Sequence, residues 1–227
     1  MESHMFDFAN WILSGALLST AIPALDTAQQ ASQVAPAAIE TQAEPALSQT
    51  EAIAKANAAL NAIDTAKGKF TQLDANGNFS QGEFYLNRPG RMRFEYADPM
   101  PLLIVSDGTT VAFEDKDLET VERVPLSATP LNLILRRTAD LAADADIISA
   151  EKKAGFIAIK MADKSDEAEG ELELFFDPVS FQLMQWETTD ITGAVTTVQL
   201  SDVELGASVS PRLFRLEDPE DEDERRR

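Results

Sequence analysis

From Arg91 to Tyr96 charged and apolar side chains alternate without exception: Met92, Phe94 and Tyr96 share one parity, and Arg91, Arg93 and Glu95 the other. Only an extended chain sorts such a run into one dry and one wet face, because successive side chains of a strand point to opposite sides. The run sits inside Gly82 to Gly108, where two further stretches rich in aromatic and β-branched residues are set off by Arg88-Pro89-Gly90 and by Asp98-Pro99-Met100-Pro101. Turn residues between such runs predict three consecutive antiparallel strands. One side of that sheet is expected to be dry and the other wet.

The same pattern continues on both sides of this stretch. From Lys69 onward, turn signals recur at Asn76-Gly77, Asp107-Gly108, Gly155, Gly170, Asp177-Pro178 and Gly193. Between them Val111 and Phe113, then Ile157, Ile159 and Met161, then Leu172, Leu174 and Phe176 recur at a period of two, which predicts a meander closing into a barrel or half-barrel. Glu173 to Phe176 becomes apolar on both faces, and with Met184 and Trp186 it is expected to pack under a loop. Upstream, Ser48 followed by Glu51 forms a capping box, and Ile53, Ala56, Leu60 and Ile63 then predict an amphipathic helix running up to Gly68. Strand patterning lapses from Pro125 to Ile148. There Pro130 suits the first turn of a short helix through Leu131, Leu133, Ile134 and Leu135, with Arg136-Arg137 at its negative end. Ala139 to Ala145 is expected to form a second short helix or a loop. An apolar insertion of this kind in a β chain covers an opening or fills one.

Composition narrows the partners. A formal charge of -20 over 227 residues and an isoelectric point near 4.3 argue against nucleic acid or anionic lipid headgroups as surface partners. Without cysteine there is no disulfide framework and no thiolate chemistry. Ser3-His4-Met5 has the form of a cloning junction and contains the sole histidine. The apolar run Trp11 to Ala24 is about 14 residues, short of the roughly 20 a spanning helix needs. It has the length of a signal-peptide core, although no Lys or Arg precedes it. The sequence thus divides into residues 1–24, a signal peptide or cloning-derived segment; residues 25–47, an Ala-, Gln- and Pro-rich flexible linker; a single folded domain over residues 48–216; and a charged tail over residues 217–227.

The order Gly82, Arg88-Pro89, Arg93-Phe94-Glu95-Tyr96, Pro99, Ile104-Val105-Ser106-Asp107-Gly108, followed by Thr129-Pro130-Leu131-Asn132-Leu133-Ile134-Leu135, resembles the outer-membrane lipoprotein carrier family, LolA, from about Ser48 to Pro219. The resemblance implies a mainly β fold with a few helices, in which a curved antiparallel sheet forms a half-open barrel covered by an N-terminal helix and a short helical lid. It implies a monomeric periplasmic carrier for the acyl chains of lipoproteins, without cofactor or metal. Its implied partners are acylated lipoproteins, an inner-membrane lipoprotein-releasing ABC transporter, and an outer-membrane acceptor protein or the membrane. Arg88 matches the arginine that in the family bonds the lid and controls its opening. Phe84, Leu86, Met92, Phe94, Tyr96, Val111 and Phe113 are the expected cavity wall, and Pro130, Leu131, Leu133, Ile134 and Leu135 the expected lid helix. Met92, Phe94 and Ala112 stand where bulkier aromatics are common in the family.

Two other readings remain open at this point. A non-catalytic interaction module would pack the sheet densely on its helices, so a cavity above about 300 Å³ separates it from a carrier. An all-β hydrolase would have to work through Asp and Glu, since the usual nucleophile-base pairs are missing. Asp74 to Asn78 with Glu83 resembles a calcium loop only faintly, its glycine and glutamate being misplaced, and a hairpin turn at Asn76-Gly77 is the better expectation.

Overall fold

The computed structural model describes residues 47–165 and 168–215. The apolar run Trp11 to Ala24, the linker before residue 47 and the charged tail 217–227 lie outside the described residues. A helix α1 (Gln49–Asn61) precedes eleven strands: β1 (Thr65–Leu73), β2 (Phe79–Asn87), β3 (Arg91–Tyr96), β4 (Leu102–Asp107), β5 (Thr110–Asp115), β6 (Thr120–Pro125), β7 (Ala145–Lys153), β8 (Phe156–Asp163), β9 (Glu171–Phe176), β10 (Leu183–Thr189) and β11 (Val195–Leu205). Between β6 and β7 lie a 3-10 turn and the short helices α2 (Asn132–Leu135) and α3 (Leu141–Asp144). All strands belong to one antiparallel sheet in the order β6-β5-β4-β3-β2-β1-β11-β10-β9-β8-β7.

The three strands expected between Gly82 and Gly108 are β2, β3 and β4, paired in register as Phe84 with Phe94 and Phe94 with Ile104. On the concave side Phe70 is almost wholly buried, and its ring meets Phe94 and Tyr96 edge-on, each with centroids 4.9 Å away. Phe70 pairs across β1–β2 with Gly82. A β-carbon on Gly82 would stand 2.0 Å from the Glu95 carbonyl oxygen, so only glycine leaves room for the ring and the neighbouring strand.

The opposite face is not uniformly wet, contrary to the expectation from β3. Leu103, Val105 and Ala112 on the convex side are buried, and the C-terminal 3-10 turn Pro211–Phe214 packs over β3 and β4. Along Leu102 to Val105 the convex-side residues are therefore buried while Leu102 and Ile104 on the other face are half-buried, something alternation in β3 could not announce.

The capping box forms, with the Ser48 backbone N–H donating to Glu51 and the Glu51 N–H to the Ser48 hydroxyl. Helix α1 buries Ala52, Ala56 and Leu60 but stops at Asn61 instead of continuing to Gly68. Residues from Thr65 onward are taken by β1, which pairs with both β2 and β11. Ladder hydrogen bonds on two sides outweigh the extra helical turn.

The Asn76-Gly77 turn forms between β1 and β2, and the Asp74 carboxylate is spent on it, accepting from the backbone N–H of Asn76 at 2.9 Å and of Asn78 at 2.8 Å. Asp190 does the same for Thr192 and Ala194. Hydrogen bonds hold both carboxyls below the usual carboxylate range, chiefly from the Asn78 side chain to Asp74 and from the Thr192 hydroxyl to Asp190. Because the folded pKa lies below the unfolded one, this stabilisation is fully present above about pH 4 and is lost as pH falls through the folded value. Carboxyl resonances of Asp74 and Asp190 are expected to titrate below the ordinary aspartate value of 3.8. Midpoints at or above that value would mean the turns are not held this way.

Candidate lipid cavity and its latch

The concave face of the sheet, covered by the segment between β6 and β7, encloses two apolar lobes. The smaller, about 70 Å³, is lined by Phe84, Leu86, Met92 and Phe94 from the sheet and by Leu131, Ile134 and Leu135 from the lid segment. The larger, about 370 Å³, is lined by Met92, Phe94, Tyr96, Val111 and Phe113, with Pro130 and Leu131 above. All seven expected wall residues thus line one lobe or the other. Met92, Phe94, Leu131 and Trp186 line both and stand where the lobes meet. The polar edge of Tyr96 is satisfied by donation to Gln72 at 2.7 Å, and burial pushes its phenol pKa up to about 12.

The lid helix is shorter than expected. Only Asn132 to Leu135 is α-helical, so Pro130 lies before the helix and Leu131 caps it. The Pro130 carbonyl accepts from the Leu133 N–H at 3.2 Å. Leu133, Ile134 and Leu135 are buried, but Leu133 lines neither lobe and packs into the core cluster instead. Arg136 does not serve the helix end through its charge. Its guanidinium pairs with Asp144 at 2.7 Å and approaches Asp163 at 3.9 Å, where one buried Asp163 oxygen has no hydrogen-bond partner.

Two helix ends and one turn converge on Arg88. Its Nε donates to the Arg136 carbonyl at 3.0 Å, and its terminal nitrogens donate to the carbonyls of Leu60, Ile63 and Arg136 and to the Asn61 side-chain oxygen. The carbonyls at a helix C-terminus have no partner inside the helix, and a planar guanidinium can serve several at once. Burial draws the Arg88 pKa below the ordinary arginine range, Asp64 opposing this, and the side chain remains a cation at neutral pH. In the same turn the Gly90 N–H donates to the Leu135 carbonyl at 2.8 Å. A β-carbon on Gly90 would lie 2.6 Å from the Gly108 α-carbon, so the Arg88-Pro89-Gly90 and Asp107-Gly108 turns pack backbone to backbone beneath the lid.

The sequence pattern overlooked several residues of this site. Asn61 receives the Ala139 N–H at 2.7 Å and donates to the Ala139 carbonyl at 2.9 Å, and Asn57 receives the Leu141 N–H at 3.0 Å, so the two asparagines, one helical turn apart on α1, hold the lid's far side. Their spacing of four was the available signal. Trp186 does not pack under a loop but faces the cavity, edge-on to Phe94 at 5.9 Å. An irregularity in the β9–β10 pairing between Leu183 and Gln185 places Leu183 and Trp186 together in the cavity wall. No period of two could show that.

The family described as outer membrane lipoprotein carrier protein LolA matches residues 61–217. The chain belongs to this family. An outer-membrane lipoprotein carrier protein of Methylococcus capsulatus is 32% identical over 169 residues, spanning 70% of this chain and 80% of that protein. Another, of Alkalilimnicola ehrlichii, is 29% identical over 170 residues, spanning 71% and 77%. A solved LolA superfamily protein from Nitrosomonas europaea superposes with a TM-score of 0.46 at 11% identity, over 74% of this chain and 97% of that one. LolA proteins are non-catalytic carriers, so the acid-base chemistry left open by the carboxylate count does not define this chain.

Proposed function

We propose that this protein is a periplasmic carrier that holds the acyl chains of lipoproteins between the concave sheet and the lid, shuttling them from the inner to the outer membrane. The observation that carries this reading is a two-lobed apolar cavity roofed by a segment whose end is hydrogen-bonded through Arg88. The larger lobe, about 370 Å³, falls within the range of ligand cavities and supports a carrier over a densely packed module. At about 0.8 kcal/mol per buried methylene, one sixteen-carbon chain contributes on the order of 12 kcal/mol as an upper limit, so release has to be driven. A lid that replaces cargo contacts with its own keeps the net affinity modest.

In this reading Arg88 controls the lid, and Phe84, Leu86, Met92, Phe94, Tyr96, Val111 and Phe113 hold the cargo. The cargo comes from an inner-membrane lipoprotein-releasing ABC transporter and passes to an outer-membrane acceptor or the membrane. Residues 1–24 hold the export signal or cloning-derived residues, 25–47 act as a tether, 48–216 as the carrier domain and 217–227 as a charged tail.

Titration of delipidated protein with a fluorescent fatty acid tests the reading. The wild type is expected to bind, and Ile134→Asp, which places a charge under the lid, is expected to bind more dye and to melt at lower temperature. Unchanged binding together with unchanged melting would remove the lid from the mechanism, and absence of binding by the wild type would remove the carrier reading.

A further inference from the structure

Among the described residues, nine large apolar side chains are exposed, and six of them, Leu73, Phe79, Met100, Leu118, Ile191 and Val195, lie at one end of the sheet. That end collects the β1–β2, β3–β4, β5–β6 and β10–β11 turns, which follow one another along the arc of the sheet. Each of these four successive turns carries or flanks at least one of the six. Leu118 and Ile191, at 70% and 75% exposure, sit at turn tips. Both tips are stiffened from beneath, since Asp115 accepts from the Leu118 N–H at 3.0 Å and Asp190 accepts from the Thr192 N–H at 2.8 Å. Six of the nine exposed large apolar side chains gathered on four successive turns mark a contact surface, since singly scattered ones are usual on a monomer and a concentration at one end is not.

The larger cavity lobe reaches this same end, where Gln72, Tyr96, Thr189, Asp190 and Ala194 line it. We propose that the apolar turn tips form a lip that seats the cavity mouth on a zwitterionic phospholipid surface, so that acyl chains pass between cavity and bilayer without crossing water. The proposal rests on the carrier reading and deepens it, choosing direct contact with the membrane over a protein acceptor. Charge selects the lipid. The four turns carry Asp74, Asp98, Asp117, Glu119 and Asp190 against Lys116, a balance that repels anionic headgroups and meets the outermost ammonium groups of phosphatidylcholine or phosphatidylethanolamine. Shallow insertion of several large side chains is the usual basis of reversible interfacial binding.

Co-sedimentation of the full chain with vesicles of phosphatidylcholine and phosphatidylethanolamine tests this. The double variant Leu118→Asp/Ile191→Asp is expected to partition at least tenfold more weakly than wild type, with fatty-acid binding and melting temperature unchanged. Val179→Asp, at a 91% exposed position at the opposite end of the sheet, is expected to partition like wild type. Replacing part of the phosphatidylcholine by phosphatidylglycerol is expected to weaken wild-type partition. Equal partition of wild type and double variant overturns the proposal and leaves the tips to a protein partner. An equal loss in Val179→Asp, or tighter binding to phosphatidylglycerol, overturns it as well. Because fatty-acid binding is read on the same samples, failure of the carrier reading is distinguished from failure of the lip.

Discussion

Replacing Arg88 by leucine is expected to leave equilibrium binding of lipoprotein at least as strong as in the wild type while slowing its transfer to acceptor membranes by at least tenfold. In the closed state this guanidinium bonds the C-terminal end of α1 and the Arg136 carbonyl that follows α2. Leucine of similar bulk deletes every donor and leaves those carbonyls facing an apolar group. When the lid is open, water satisfies the Arg136 carbonyl, so the loss of that bond falls on the closed state alone. One charge-assisted hydrogen bond contributes about 1.5–3 kcal/mol, and each 1.4 kcal/mol is a factor of about ten. The balance therefore moves about 10- to 100-fold toward open. An open lid offers more apolar surface to cargo and no longer competes with it, so uptake persists and hand-over stalls. Arg88→Lys, which supplies a point charge without the planar fork, should fall between the two. Transfer at the wild-type rate by the leucine variant would reduce Arg88 to an ordinary turn arginine.

Phe70→Ala is expected to cost about 3–5 kcal/mol of stability, the range for truncating a buried aromatic. Phe70 is 1% exposed and meets both Phe94 and Tyr96 edge-on, and each such pair adds about 0.5–1.5 kcal/mol beyond the area it buries. The site cannot collapse to fill the space, because the facing position is Gly82, held against the Glu95 carbonyl. Against a typical total of about 5–15 kcal/mol, the loss is roughly a fifth or more of the fold's stability. The midpoint of urea unfolding should fall with little change in its slope. A loss below about 1 kcal/mol would show that the aromatic cluster is not what binds β1 to β2 and β3.

Much of the architecture was legible because it is written locally. The alternation in β3, the capping box at Ser48 and the glycines at turns each act over a few residues, and each formed where the sequence placed it. Arg88 could be singled out only through its match to the family's arginine; in the structure it donates to carbonyls at the ends of α1 and α2 and to the Asn61 side chain. What could not be read depends on pairing between distant segments. The early end of α1 is decided by β11, more than 130 residues away in sequence. The place of Trp186 is decided by an irregular register in β10. The burial of Leu103 and Val105 is decided by a C-terminal turn with no pattern of its own. Period and propensity are silent about all three.

The strand order carries a kinetic consequence. Strands β1 to β6 form one run of neighbouring hairpins and β7 to β11 another, and the two runs meet only where β1 pairs with β11, Ala66 opposite Leu205. Each run can assemble from local contacts, whereas the seam must bring together residues from the two ends of the domain and so bears the largest loop-closure entropy. Folding should therefore proceed as two rapid hairpin collapses followed by one slow zippering along β1–β11. The lid segment, which is the covalent connection between the two runs, is the loop whose closure sets that final rate.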